Sequence, residues 1–228
     1  MRKPRPFARK EEDFRDASLI LVACDDTYAP QQYFGFFDNL LKRVRVVVKP
    51  HDTGVSYNTL DVLHLLLDSE HIEGDELWMI LDIDHYTQGS HKRSFFQALD
   101  EARRQGVKIA LSRPCFELWL LLHYVDSVQV AELSDAKEAE EMLRSDVAIG
   151  EYNKTNLKAG HYPLNRVVRA CKLASSLDGS IQYEGYEPKH NTTQVFKIWR
   201  SAVRKAIESE LPHALIEYKQ WLLAGESK

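Results

Sequence analysis

Four short apolar runs, each paired with a stretch of helical spacing, constrain this chain more than any other feature in it. Ser18-Leu19-Ile20-Leu21-Val22-Ala23-Cys24 is continuously apolar, the pattern of a strand covered on both faces in a mostly parallel sheet. It stops abruptly at Asp25-Asp26-Thr27. Pro30 suits a first helical turn, and Tyr33, Phe34, Phe37, Leu40 and Leu41 then recur at the spacing of one helix face. Val44-Arg45-Val46-Val47-Val48 is a second, β-branched run, followed by a loop from Lys49 to Ser56 and a helix carrying Leu60, Leu63, Leu66 and Leu67. Glu76 to Leu81 reads as a third buried strand. It ends on acids again, Asp82-Ile83-Asp84, before a polar loop from His85 to His91. Phe95, Phe96, Leu99 and Ala102 mark a helix that stops near Gly106, and Val107 to Leu111 forms a fourth strand.

This alternation predicts an α/β protein with an open, mostly parallel sheet flanked by helices, in which ligand sites gather at the carboxyl ends of the strands. Beyond Pro114 the character changes. Phe116 and Leu118 to Leu122 are too densely apolar for a surface helix and predict a buried one. From Asp135 onward the signals are helical, over Asp135 to Arg144, Leu164 to Leu177, Thr193 to Glu208 and Pro212 to Leu223, with no strand expected. The organisation that follows is a charged leader over 1–16, an α/β domain over 17–127 and a helical C-terminal region over 128–228 packed on it.

With 228 residues and 44% hydrophobic content, the chain can bury a full core. Its formal charge of −4 supplies no global basic field, so a nucleic-acid partner has to be held by a local patch or a metal. Cys24, Cys115 and Cys171 are an odd, widely spaced set without a CxxC pair, which argues against a disulfide framework or a zinc cluster and fits a reducing cytoplasm. No secretory signal is evident in the leader, and no apolar run reaches the ~18 residues of a membrane span.

The acidic strand ends carry the chemistry. In a strand, residues two apart point the same way, so Asp82 and Asp84 are expected to aim jointly, with Asp25 on the same rim. Hard oxygen donors of this kind suit Mg²⁺ or Mn²⁺ at a phosphodiester. The plainer reading makes Asp25 or Asp26 a helix cap. Glu117, inside an apolar helix, needs a partner, either a structural one such as Arg113 or His123 or the acidic site itself. His123 reads as a hydrogen-bonded core histidine and Cys115 as a packed thiol. Lys154 lies in a loop, where it either faces a phosphate or is simply solvated. Asn191-Thr192-Thr193 is expected to cap the following helix. Arg200, Arg204 and Lys205, with Trp199, form either a nucleic-acid contact or the polar face of an amphipathic helix, the plainer choice.

One segment goes further. Ser112-Arg113-Pro114-Cys115-Phe116-Glu117-Leu118-Trp119-Leu120-Leu121-Leu122-His123-Tyr124 closely resembles the signature of RloB-like proteins, roughly S-N-P-C-F-E-L-W-L-L-L-H-F. The order around it also agrees: a strand ending near Cys24, the Tyr33-Phe34 pair, Trp78 ahead of Asp82-Ile83-Asp84, then Tyr152-Asn153-Lys154. The resemblance implies a Toprim-like layout, in which a glutamate after the first strand and a D-x-D after the third bind Mg²⁺. It would make Asp82 and Asp84 metal ligands and put Asp25 where the family has glutamate, in a pattern of roughly C-E-G-E-x-T-E. Glu117 and Lys154 join these as candidate catalytic residues. The implied function is a metal-dependent nuclease effector of anti-phage, abortive-infection defence, of the kind found in restriction-modification operons. Its implied partners are nucleic acid, with tRNA among the candidates, and an ATPase subunit; a homodimer is a further option, and no membrane is involved. The alternative is a catalytically degenerate binding or sensor subunit of such a complex.

Overall fold

The structure, a computed structural model, describes residues 17–26, 28–50, 58–84, 86 and 92–226. The leader and most of the two expected loops over 49–56 and 85–91 lie outside the described residues. The first half alternates as the apolar runs require: β1 (Ser18–Cys24), α1 (Ala29–Gly35), β2 (Val44–Val48), α2 (Thr59–Leu67), β3 (Glu76–Asp82), α3 (Lys92–Arg104) and β4 (Lys108–Arg113). Then come α4 (Glu117–Leu121), α5 (Ser127–Ala131), α6 (Ala136–Arg144) and α7 (Leu164–Ser180). Three two-residue strands follow, β5 (Tyr183–Glu184), β6 (Glu187–Pro188) and β7 (Thr192–Thr193), before α8 (Phe196–Lys205) and α9 (His213–Glu226).

The main sheet runs β2-β1-β3-β4-β7, and its first four strands are parallel. Period-two alternation divides the core. Ile20, Val22, Cys24, Trp78 and Ile80 face one side, together with α1, α4 and the C-terminal helices. Leu21, Ala23, Leu77, Met79 and Leu81 face the other, under α2 and α3. α2 begins at a capping box: the Asn58 side chain accepts from the Leu60 and Asp61 amides while Asp61 accepts from the Asn58 amide. Among the described residues no helix is long and apolar enough to cross a membrane.

Three expectations need correction. α1 stops at Gly35 rather than running to Leu41: the chain turns instead, and Asn39 adopts φ +67, a left-handed conformation that ends helical continuation. Phe37 and Leu40 still pack on the core, which is why their spacing looked helical. Strands do occur after Asp135: β5 and β6 form a hairpin, and β7 pairs antiparallel with β4 through Ser112↔Thr193 and Arg113↔Thr192. Two residues carry no periodic signal. Asn191-Thr192-Thr193 is accordingly edge strand rather than a cap, and Asn191 donates to the Val130 and Leu133 carbonyls.

Candidate functional site

Three neighbouring strands deliver carboxylates to one rim of the sheet. β1 hands over to Asp25 and Asp26, the adjacent β3 ends on Asp82, and β4, on the far side of β3, turns through a cis Arg113–Pro114 bond into α4, whose first residue is Glu117. The packing of α4 fixes that last placement, since Phe116, Leu118, Trp119, Leu120 and Leu121 are all fully buried.

The Asp82 backbone N–H donates to Asp25 Oδ2 at 3.1 Å, which fastens the two strand ends together. Asp25 as a residue is partly exposed, yet its Oδ1 is buried, as is Asp82 Oδ1, and neither has a hydrogen-bond partner among the described residues. Burial pushes the Asp25 carboxyl up to about 7, against the pull of the Asp82 amide and with a further push from Asp26. Asp82 is raised well above the usual carboxylate range, first by burial and then by the charges of Asp25, Glu117 and Asp26.

Lys154 is the cation of this cluster. Its Nζ stands 3.1 Å from Asp26 Oδ2 and 3.3 Å from Glu117 Oε1. Burial alone would lower the Lys154 pKa, but Glu117 and Asp26 outweigh it and hold the ammonium protonated. Glu117 is 1% exposed and also accepts from Tyr152 Oη at 2.7 Å. The loop that brings in Tyr152 and Lys154 is anchored by α1: Gln32 Nε2 donates to the Lys154 carbonyl, and Gln32 Oε1 accepts from the Leu157 amide, both at 2.9 Å.

Of the residues singled out in the sequence, Asp25, Asp82, Glu117 and Lys154 meet here. Glu117 does so through Tyr152 and Lys154, not through Arg113 or His123. Arg113 instead donates to the Pro188 carbonyl, and His123 sits in the core between the Trp119 carbonyl and the Tyr33 hydroxyl, its pKa lowered by burial to about 3. Asp84 is different. The β3 ladder ends at Asp82, Ile83 is fully buried, and Asp84 lies partly exposed in the turn beyond, so strand alternation does not set its direction. Asp26 Oδ1 accepts from the Tyr28 amide at 2.9 Å as a turn residue, while Asp25 accepts from the Asp82 amide and caps no helix among the described residues. Cys115 is buried with its thiol pushed up by burial, the state of a packed rather than reactive cysteine. Sequence reasoning missed Asp26 and Tyr152 as cluster members; adjacency to Asp25 and to the Lys154 loop were the available signals.

Among the described residues, no three His, Cys, Asp or Glu side chains form a ready-made metal cage. The donor chemistry nonetheless suits a hard divalent cation. Two buried carboxylate oxygens without a partner among the described residues match an ion that takes one or two carboxylates and fills its remaining positions with water and substrate phosphate.

Fold and site together define an α/β protein with a buried carboxylate cluster at the carboxyl ends of a parallel sheet. The family model for RloB-like protein matches residues 20–208, most of the chain, and the chain belongs to that family. Comparisons with curated proteins and with solved structures give no match.

Proposed function

We propose that this RloB-like protein is a metal-dependent nuclease of anti-phage defence, with a Toprim-like site at Asp25 and Asp82 that takes Mg²⁺ or Mn²⁺, acting on nucleic acid alongside an ATPase subunit. The observation that carries this reading is the pair of buried oxygens, Asp25 Oδ1 and Asp82 Oδ1, on neighbouring strand ends, neither with a hydrogen-bond partner among the described residues. Leaving such groups without partners costs folding free energy, which a site is expected to recover on binding. When bound, a divalent ion supplies charge neutralisation at a phosphodiester and makes an attacking water more acidic.

The chain's own groups do the rest. Asp25 Oδ2 accepts from the Asp82 amide, so the carboxylate is fixed in orientation with Oδ1 left as the atom that would ligate a cation. Lys154, kept protonated, offers its ammonium to a phosphate oxygen from a loop braced by Gln32. Asp26 and Glu117 hold that ammonium in place, and the Tyr152 hydroxyl in turn donates to Glu117.

Incubation of the purified protein with tRNA, single-stranded DNA and plasmid, with Mg²⁺ or Mn²⁺, is the test. The expected result is cleavage of at least one substrate that Asp82→Ala loses by about 10²-fold or more. Identical behaviour of wild type and Asp82→Ala across all substrates would refute the enzymatic reading.

One observation favours a second reading. Lys154 already bridges Asp26 and Glu117 and so supplies the cluster with an internal cation. In that reading the protein is a non-catalytic binding or sensor subunit, and no substrate is cut in any metal.

A further inference from the structure

A second, oppositely charged feature lies at the other end of the strands. Three hollows adjoin one another there. The first, of about 590 Å³, is bounded by Arg103, Lys108 and Lys197 with Tyr183, Tyr186 and Gln194. The second, of about 490 Å³, shares Lys108 and Lys197 with it and adds Arg200, Arg204 and Lys205. The third, of about 430 Å³, shares Arg200 and Arg204 and ends at Trp221. The three hollows follow one another along α8, and together they are called the trough. Lys197, Arg200 and Arg204 recur on one stripe of that helix, a charge every ~5–6 Å. Lys108 opens β4 in register with Trp78, four residues before the Ser112↔Asp82 pair, so Lys108 stands ~13 Å along the strands from Asp82, and the first hollow runs from there along the β4 edge to Leu111.

Half of this charge is already held in ion pairs, by Lys108, Lys197 and Lys205. Six basic side chains line the trough in a protein whose net charge is −4. The carboxylates among its lining residues are Glu76 and Asp178, and both are saturated. Glu76 accepts from Trp78 Nε1 and Ser201 Oγ and pairs with Lys108 at 3.0 Å and Lys205 at 3.4 Å. Asp178 takes Lys197 at 3.1 Å together with Tyr183 and Gln194. Among the described residues, Arg103 and Arg200 have no carboxylate partner.

The sheet edge adds a second recognition element. β7 reaches only Ser112 and Arg113, and Gln194 extends it by one residue, exchanging bonds with the Leu111 amide and carbonyl. Ser112 turns its carbonyl the other way, to Ile83, so by period-two alternation the Ile109 N–H and C=O point outward with those of Leu111, along the wall of the first hollow. They offer an adjacent donor and acceptor beside two tyrosines. At the far end, Trp221 is 40% exposed beside Arg200 and Arg204.

We propose that this trough binds a single-stranded nucleic acid, with its phosphates along the α8 cations and unpaired bases against Trp221 and the open β4 edge, remote from the acidic cluster. Spaced cations flanked by aromatic surface are what a flexible polyanion with stacking faces requires. A duplex has its Watson–Crick edges paired and its base faces stacked, so it offers this edge and the exposed tryptophan less than a single strand does. This inference rests on the nucleic-acid partner of the proposed function but not on its chemistry.

Fluorescence anisotropy with a labelled oligouridylate, run in EDTA so that no metal-dependent cleavage intervenes, tests it. The double variant Arg103→Glu/Arg200→Glu, with its fold checked by circular dichroism, should bind about tenfold or more weakly, with a log–log salt slope shallower by ~0.7 per lost phosphate contact. Lys137→Glu, an exposed reversal on α6, should bind as wild type. Equal affinity of the double variant and wild type would overturn the proposal. So would a trough-dependent affinity for phosphatidylserine vesicles, or for an acidic peptide, with none for the oligonucleotide. Loss of cleavage without loss of this binding, or the reverse, separates the failure of one proposal from the failure of the other.

Discussion

At the scale of residues, the acidic cluster is a local sacrifice of stability, and its sign can be worked out. The Asp25 carboxyl is raised from 3.8 to about 7. Between those values the folded state keeps a proton that the unfolded chain has released, so stability declines as pH rises through the window and stays low above it. Asp82, raised in the same direction, adds to the effect. Asp25→Asn is nearly isosteric and its amide oxygen can still accept from the Asp82 N–H. It should therefore melt higher than wild type at pH 8, with the gap narrowing as pH falls from 7 towards 4; a gap that widens on acidification would contradict the assignment. Thermal melts across that range, in EDTA, measure it. Lys154 does not cancel this strain, because its ammonium sits on Asp26 and Glu117 rather than on the buried Oδ1 atoms of Asp25 and Asp82.

At the scale of elements, long periodic signals were readable and short ones were not. β1, β3, α3 and the buried α4 appear where continuous apolar runs or helical spacing put them, because burial on both faces leaves a mark on every residue. β7 and the β5–β6 hairpin are two residues per strand and exist through tertiary pairing with β4 and through a turn at Gly185, φ +62, neither of which a window on the sequence can register. The site divides in the same way. Asp25 and Asp82 were legible as acids terminating adjacent strands, whereas the pairing of Glu117 with Lys154 depends on a loop pinned by Gln32, a contact spanning more than a hundred residues. Trp199, which with its basic neighbours reads either as a nucleic-acid contact or, more plainly, as part of an amphipathic helix, is core, 3% exposed. The capping box of α2 offers a test at this scale. Asn58→Ala removes the acceptor of two first-turn amides and should cost about 1 kcal/mol in a urea titration.

At the scale of the whole molecule, one core joins the sheet to the C-terminal helices: Val22, Trp78 and Ala110 from the strands share a cluster with Trp119 of α4, Cys171 of α7, Trp199 of α8 and Tyr218 of α9. The sheet and the helical region should therefore unfold in one transition, with far-UV circular dichroism and tryptophan fluorescence coincident in denaturant. Trp119→Ala, at a fully buried position in the middle of that core, should lower the stability of the whole by about 3–5 kcal/mol. A fold closed in this way holds the strand ends rigidly and sets an acidic rim against a basic trough. The claim on which the functional account turns is that Asp25 and Asp82 receive a divalent ion. Calorimetric titration of the full chain with Mn²⁺ addresses it most directly: saturable binding by wild type that Asp82→Asn loses is the predicted result, and an absence of saturable binding at millimolar metal, or identical isotherms for the two proteins, would contradict it.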